Sequence, residues 1–246
     1  MSNEEVKETW QRFWRQNKDK EVSLDGMSRA ILTELIKNGG GLKGKRILEA
    51  GCGRGIISVE TAALGAEVYL LDIAADALEI AKNCFASKNQ PAAFIHGDIL
   101  ALPFEESSFD VVWNAGVLEH FEGGFRQKAI DGMARILKPG GIFMTFNPSE
   151  KAVFYKIGKK AAEKKGTWPY GPEFPVESLK EGCEAAGLAV IKEYPVCFRE
   201  NLSYLSYVSK HLRSIVKLAL LPFPDNFLIK IFGGYLLVTI GVKQER

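Results

Sequence analysis

The sequence has no long apolar run, no excess of one charge and few cysteines. No stretch approaches the roughly 18 apolar residues that a membrane-spanning helix needs. The 32 basic and 30 acidic residues leave a net charge of +2, so no broad nucleic-acid-binding face is expected. Cys52, Cys84, Cys183 and Cys197 show no Cys-x-x-Cys spacing, which disfavours zinc and disulfide frameworks and favours reduced thiols. The first residues also lack the features of a signal peptide, so we expect a cytoplasmic protein.

Three glycines spaced two apart, Gly51, Gly53 and Gly55, follow an apolar strand over residues 46–49. Only glycine lets the backbone turn this sharply, and we expect the turn to leave backbone N–H groups bare for a ligand. Two common nucleotide loops are excluded. A dinucleotide fingerprint requires glycine where Ile56 stands, and a Walker A loop requires a Gly-Lys-Ser/Thr ending. What remains is Glu-x-Gly-x-Gly-x-Gly, beginning at Glu49.

Polar side chains follow the next strands as well. Asp72 closes a strand over 67–71 and suits two ribose hydroxyls, although it can also cap the next helix. Asp98 follows a strand over 93–96, where a turn aspartate that satisfies its own loop is the alternative. Asn114 lies in the strand after that. Alternating strands and helices predict a parallel sheet, whose carboxyl ends bring these residues together.

These motifs resemble those of class I S-adenosylmethionine-dependent methyltransferases. The likeness rests on the glycine motif, on Val-Leu-Glu-His at 117–120, as in the subgroup with the quinone-biosynthesis enzymes, and on Leu-Lys-Pro-Gly-Gly at 137–141. It covers about 44–147 well. It implies an α/β fold with a Rossmann-like, doubly wound sheet of seven strands. That sheet is mostly parallel, its last strand enters antiparallel through a hairpin, and helical cap elements surround it.

The resemblance also implies the cofactor and its contacts. The cofactor is S-adenosyl-L-methionine, and the product is S-adenosyl-L-homocysteine. Asp98 is expected to take the adenine amino group and the Ile99 backbone a ring nitrogen. No metal site is predicted. The predicted cofactor residues are Glu49, Gly51, Cys52, Gly53, Asp72, Ile73, Asp98, Ile99 and Asn114.

Aromatic residues outside this core indicate lids. Trp10, Phe13 and Trp14 form a stripe on a helix over about 4–17, which either packs on the domain or, as the resemblance implies, closes over the site. Trp168 and Tyr170 lie in a connection long enough to be a substrate loop. We predict one domain in three parts: an N-terminal helical cap at 1–40, a cofactor-binding core at 41–147, and a substrate-side half at 148–246 with lid insertions at about 149–175 and 198–228.

The stretch 201–221 is predicted to be one basic amphipathic helix. Such a helix either packs over the domain or lies on an anionic membrane surface. We favour packing, because an apolar stripe usually faces the interior.

Methyl transfer from a sulfonium requires mainly placement of the acceptor and exclusion of water, so no catalytic dyad is expected. For a hydroxyl or an acidic carbon a base helps, and His120 is the best-placed residue, unless it only packs or caps its loop. Asn-Ala-Gly at 114–116 differs from the Asn-Pro-Pro motif that suits nucleic-acid bases. We therefore expect O- or C-methylation of a small, apolar or amphiphilic acceptor.

Two other functions stay open. A nicotinamide dehydrogenase is opposed by Ile56 and by the lack of a matching catalytic constellation. A non-catalytic protein that binds S-adenosylmethionine would carry the same motifs, because a fold does not fix a function.

Overall fold

One sheet organises the fold in the computed structural model, which describes residues 3–18 and 23–245. Residues 1–2 and 19–22 of the predicted cap, and residue 246, lie outside this description. The strands are β1 (Arg46–Ala50), β2 (Glu67–Asp72), β3 (Ala93–His96), β4 (Phe109–Ala115), β5 (Leu137–Pro148), β6 (Leu188–Val196) and β7 (Leu236–Lys243).

Helices connect the strands and cover both faces of the sheet. Short 3-10 turns at Ile99–Ala101, Leu118–His120 and Tyr204–Tyr207 supplement them. The helices are α1 (Asn3–Gln16), α2 (Gly26–Asn38), α3 (Ser58–Ala63), α4 (Ala75–Ser87), α5 (Gly124–Ile136), α6 (Val153–Lys164), α7 (Lys180–Ala185), α8 (Phe198–Ser203), α9 (Lys210–Leu220) and α10 (Asp225–Phe232).

The strand order is β3-β2-β1-β4-β5-β7-β6, and only β7 runs against its neighbours. The Rossmann-like sheet with an antiparallel last strand is thus confirmed. The predicted hairpin is present as an antiparallel pairing of the consecutive strands β6 and β7, with three helices over 198–232 in the connection between them, and β7 lies between β5 and β6. Ala50 of β1 pairs with Leu71 of β2, and Glu49 pairs with Trp113 of β4. This register places the glycine turn beside Asp72.

The central strands are apolar on both sides because helices cover both faces. Alternate residues enter different clusters: Ile47 and Trp113 lie in one, and Leu48 and Val112 lie in the other. A third, small cluster of Phe154, Phe198, Leu202, Leu205 and Leu228 joins α6 to the helices between β6 and β7.

In the second half, the predicted lid insertion over 149–175 holds a helix, and the single helix predicted over 201–221 needs correction. The connection over 149–175 contains α6, which packs through buried Tyr155 and Ala162. The stretch 201–221 is not one helix, because Ser209 is extended and caps α9 by accepting a hydrogen bond from the Leu212 N–H at 3.3 Å.

The expected packing of 201–221 is complete only in its first part, since Val216 and Leu220 of α9 are partly buried against the small cluster. Leu202 and Leu205 are buried, whereas α9 has no buried residue. Within the described ranges, none of the helices combines the length and apolar character that crossing a bilayer requires.

Candidate active site

The glycine turn after β1 has left-handed backbone at all three glycines, with φ of 84° at Gly51, 51° at Gly53 and 63° at Gly55. Its N–H groups are not bare, which corrects the expectation from sequence. The Gly51 and Cys52 N–H groups both donate to the Leu71 carbonyl, at 2.7 and 3.0 Å. The turn closes on β2, and the missing Cβ atoms let Val117 approach Gly51 and Trp14 approach Gly53 closely.

Asp72 is nearly buried beside this turn and accepts two backbone hydrogen bonds. The Gly53 N–H donates to Oδ2 at 2.8 Å, and the Ala74 N–H donates to Oδ1 at 2.9 Å. Burial raises the pKa of Asp72 to about 6, although both hydrogen bonds oppose that shift. Each carboxylate oxygen keeps a lone pair for a further donor.

Asp98 and Glu49 complete the acidic side of the turn. Asp98 accepts a hydrogen bond from the Leu100 N–H at 2.8 Å, so the turn role considered for it is present. Glu49 is 5 % exposed, and its Oε2 has no hydrogen-bond partner. Burial raises the pKa of Glu49 well above its usual value. A buried acceptor without a partner is costly, and a ligand that brings a donor would satisfy it.

A cavity with a volume of about 610 Å³ brings most of the predicted residues together. Two predicted residues are not in its lining. Asn114 is fully buried, accepts from the Thr145 hydroxyl at 2.6 Å and faces Met133 Sδ at 3.3 Å, so it stabilises the sheet interior. Trp168 instead packs on Tyr155, Tyr170 and Tyr204. The predicted residues in the lining are Trp10, Phe13, Trp14, Glu49, Gly51, Cys52, Gly53, Asp72, Ile73, Asp98, Ile99, His120 and Tyr170.

Helix α1 forms one wall of this cavity with its aromatic stripe. The Trp10 ring meets His120 edge-on at 5.0 Å between centroids, and Phe13 lies 5.5 Å from Tyr170. A Cβ at Gly53 would lie 2.7 Å from the Trp14 ring. Gln11 fixes the helix to the start of α4, since its amide donates to Asp76 at 2.7 Å and accepts from the Ala75 N–H at 3.0 Å.

An acid–histidine group lies in the same cavity. One ligand atom from each of Glu119, His120 and Glu173 lies within 4.8 Å of the other two. The His120 Nδ1 lies 3.1 Å from the Pro172 carbonyl, which only accepts, so Nδ1 carries the proton and Nε2 is the free base. Burial lowers the pKa of His120 to about 4, which keeps the ring neutral near pH 7.

The two carboxyl groups of this group are also shifted. Burial raises the pKa of Glu173 to about 7, and the Tyr155 hydroxyl donates to Glu173 at 2.5 Å. Glu119 is 2 % exposed with Oε2 unpartnered, and burial raises its pKa well above the usual value. Sequence reasoning missed both acids. The position of Glu119 beside His120 in the Val-Leu-Glu-His motif was a usable signal, whereas Glu173 sits in a connection without any motif.

Backbone hydrogen bonds hold the two loops of this group together. The Phe174 N–H donates to the Glu119 carbonyl at 2.7 Å. The Arg126 guanidinium donates to the carbonyls of Leu118 and Phe121, each at 3.0 Å, and of Phe174 at 2.9 Å. These contacts within the protein hold the acid–histidine group in a defined position.

Comparison with known proteins agrees with this site. A family model described as a methyltransferase domain matches residues 48–145. A ubiquinone biosynthesis O-methyltransferase from Nitrosococcus oceani is 30 % identical over 195 residues, which is 72 % of this chain and 82 % of that protein. The enzyme of the same name from Coxiella burnetii is 32 % identical over 158 residues, covering 61 % of this chain and 66 % of that protein.

Solved structures show the same fold. The N-methyltransferase NodS from Bradyrhizobium japonicum, in complex with S-adenosyl-L-homocysteine, superimposes with a TM-score of 0.64 at 16 % identity, over 98 % of this chain and 99 % of that one. Magnesium protoporphyrin IX methyltransferase from Synechocystis gives 0.63 at 16 % identity, over 98 % and 95 %.

Fold and cavity together define a class I methyltransferase, an enzyme whose cofactor is S-adenosylmethionine. Within that class, the chain belongs to the family that includes the ubiquinone biosynthesis O-methyltransferases.

Proposed function

We propose that this enzyme transfers the methyl group of S-adenosylmethionine to a hydroxyl oxygen of a small, apolar or amphiphilic acceptor. The proposal depends above all on one observation. The glycine turn with its acids and the acid–histidine group line one cavity, under the aromatic stripe of α1. The four cysteines form no disulfide, and reduced thiols are typical of the cytoplasm, so we place the enzyme there.

The residues around the turn suit the cofactor. We assign the ribose hydroxyls to Asp72, whose free lone pairs face the cavity, and the adenine to Asp98 and Ile99. The unpartnered Oε2 of Glu49 suits the ammonium of the methionine part, because a charged donor compensates a buried carboxylate. Bound there, the cofactor supplies an activated methyl group on sulfur.

The acid–histidine group suits the proton of the acceptor. As the oxygen takes the methyl group, its O–H proton passes to Nε2 of His120, which is neutral and held by Pro172. A base with a pKa of about 4 binds a proton weakly, so the carboxylate of Glu173, with a pKa of about 7, is the better final holder. The products are a methyl ether, S-adenosylhomocysteine and one proton.

The acceptor class follows from the rest of the lining. Tyr170, Tyr204 and Tyr235 add aromatic surface next to the group, and Trp10 closes it from α1. Aromatic walls with a few convergent polar groups favour a flat, mostly apolar molecule that carries a hydroxyl. Two relatives are named for O-methylation in ubiquinone biosynthesis, which agrees with a phenolic acceptor.

The direct test is methyl transfer from isotope-labelled S-adenosylmethionine into a panel of phenols, catechols and prenylated catechols, with methyl ethers identified by mass spectrometry. We expect His120→Ala to lower turnover about 100-fold or more and cofactor affinity much less. Equal turnover would remove His120 from the mechanism. Binding without transfer to any hydroxyl would reassign the chain as a non-catalytic binder.

The same assay in EDTA separates proton transfer from metal chemistry. We expect full activity, because the proposed roles use protons only. Loss of activity that a divalent cation restores would assign Glu119, His120 and Glu173 to a cation instead.

A further inference from the structure

The helical pair α9 and α10 presents an unusual apolar surface. Among the described residues, eight of the fifteen exposed large hydrophobic side chains fall within residues 208–231, about a tenth of the chain. They are Val208, Leu212, Ile215, Leu218, Leu221, Phe223, Phe227 and Ile231. Such clustering marks an interaction surface rather than scattered exposure. We call residues 208–231 the helical surface.

Helix α9 packs on the domain with one side, which leaves its other side exposed. Val216 and Leu220 of α9 pack against the small cluster under α6, which also takes in Leu228 of α10. Leu212, Ile215 and Leu218 recur every three residues, so they share another side of α9, and Ile215 is 66 % and Leu218 71 % exposed.

The tip of the pair is fixed as well. The Arg199 guanidinium donates to Asp225 at 2.7 Å and to the Phe223 carbonyl at 3.1 Å. The rings of Phe223 and Phe227 stack at 5.7 Å and remain exposed. These contacts hold the exposed apolar side chains of the tip in defined positions.

The charged residues of α9 are all basic. Lys210, Arg213 and Lys217 lie on α9, and residues 201–224 contain no acid. The next acid, Asp225, is paired with Arg199. A second copy of the chain would bring the same cations against these in a symmetric contact, which disfavours self-association. Anionic lipid headgroups complement them.

We propose that the helical surface docks on an anionic lipid bilayer, with α9 in the plane of the interface. Leu212, Ile215 and Leu218 enter the acyl boundary, and the cations of α9 meet the headgroups. Helix α9 has eleven residues, too few to span a bilayer. The turn before α9 carries Tyr204, which lines the cavity, so docking places the cavity wall next to the lipid.

The test is co-sedimentation of the full chain with vesicles of phosphatidylcholine alone or with about a third phosphatidylglycerol. We expect binding to the anionic vesicles, weakened by salt. The double variant Ile215→Ser/Leu218→Ser should lose binding about tenfold or more. Its matched control, Ile36→Ser/Leu64→Ser, removes two exposed apolar side chains elsewhere and should bind like the parent. Lys210→Gln/Lys217→Gln should lose about tenfold, against Lys43→Gln/Lys128→Gln as control.

Vesicle binding is measured without any methyl acceptor, so its failure is distinct from failure of the proposed reaction. No binding to anionic vesicles, or equal binding by parent and Ile215→Ser/Leu218→Ser with matching Tm values, would overturn the proposal. So would a dimer in analytical ultracentrifugation that this double variant dissolves, because the surface would then belong to a second copy.

Discussion

Asp72 couples cofactor binding to pH. Its pKa is raised to about 6, so above pH 6 the carboxylate is charged and accepts from ribose, and below pH 6 it gains a proton and loses acceptor capacity. We expect the affinity for S-adenosylhomocysteine to fall as pH drops through 6. Asp72→Asn should bind about tenfold or more weakly at pH 8 and show a flat profile. Calorimetry from pH 5 to 8 checks both predictions. A parent affinity that does not fall as pH drops through 6 would contradict the ribose role of Asp72.

Glu173 makes a separate prediction about rate. Burial raises its pKa to about 7, so its charged form is lost as pH falls through 7. We expect kcat/KM to rise with pH through about 7 in the parent and to lose that limb in Glu173→Gln. Glu177→Gln changes an exposed acid nearby and should keep the parent profile. An unchanged limb in Glu173→Gln would assign it to another group.

Gly53 is constrained by Trp14 as well as by its own backbone. A Cβ there would meet the indole at 2.7 Å, whereas at Gly41, with φ of 79°, a Cβ meets nothing within 4 Å. Both alanine variants pay for left-handed backbone. We expect Gly53→Ala to be less stable than Gly41→Ala by about 1–2 kcal/mol in urea unfolding. Adding Trp14→Ala to each should remove most of that difference. Equal stabilities would show that Trp14 does not rest on the turn.

At the scale of elements, Gln11 makes the shortest side-chain hydrogen bond between α1 and α4, next to a longer contact from Arg15 to the same Asp76. Gln11→Ala removes hydrogen bonds to Asp76 and Ala75, together worth about 1–2 kcal/mol. We expect faster amide exchange over residues 3–16 and about fivefold faster release of S-adenosylhomocysteine. Arg12→Ala, on an exposed position of the same helix, is the control. If both variants release the ligand alike, α1 is a fixed wall and does not gate the site.

The secondary-structure elements predicted correctly from the sequence are those that depend on residues close together in the chain. Strand β3 agrees with prediction at both ends, because a short apolar run between turn residues needs no distant partner. Helix α1 was predicted from its own stripe, but whether Trp10 faced a core or a ligand depended on where His120 would lie.

What sequence missed depends on distant contacts. The N–H groups of the glycine turn looked free until the Leu71 carbonyl came into place across the sheet. Glu173 carries no motif, and contacts of the neighbouring Pro172 and Phe174 with distant residues bring it to His120. The break at Ser209 is local, yet the apolar spacing on both sides concealed it.

At the scale of the whole molecule, β7 holds the second half to the first. Ile240 is fully buried and lies opposite Met144 of β5 and Lys192 of β6. We expect Ile240→Ala to cost about 2–5 kcal/mol of the free energy of unfolding, measured in urea. Ile191→Ala, on an exposed position of β6, should cost less than about 0.5 kcal/mol. A small effect of Ile240→Ala would mean that the two halves are joined mainly by helices.

The strand order also has a consequence for synthesis on the ribosome. Within residues 3–18 and 23–245, strand β6 pairs with β7 alone, and residues 197–235 must be made before β7 begins. At about 5–20 residues per second, that delay lasts a few seconds. During translation, the backbone groups of β6 and of the free edge of β5 therefore stay hydrogen-bonded to water, and the sheet is completed only when β7 emerges and pairs with both strands.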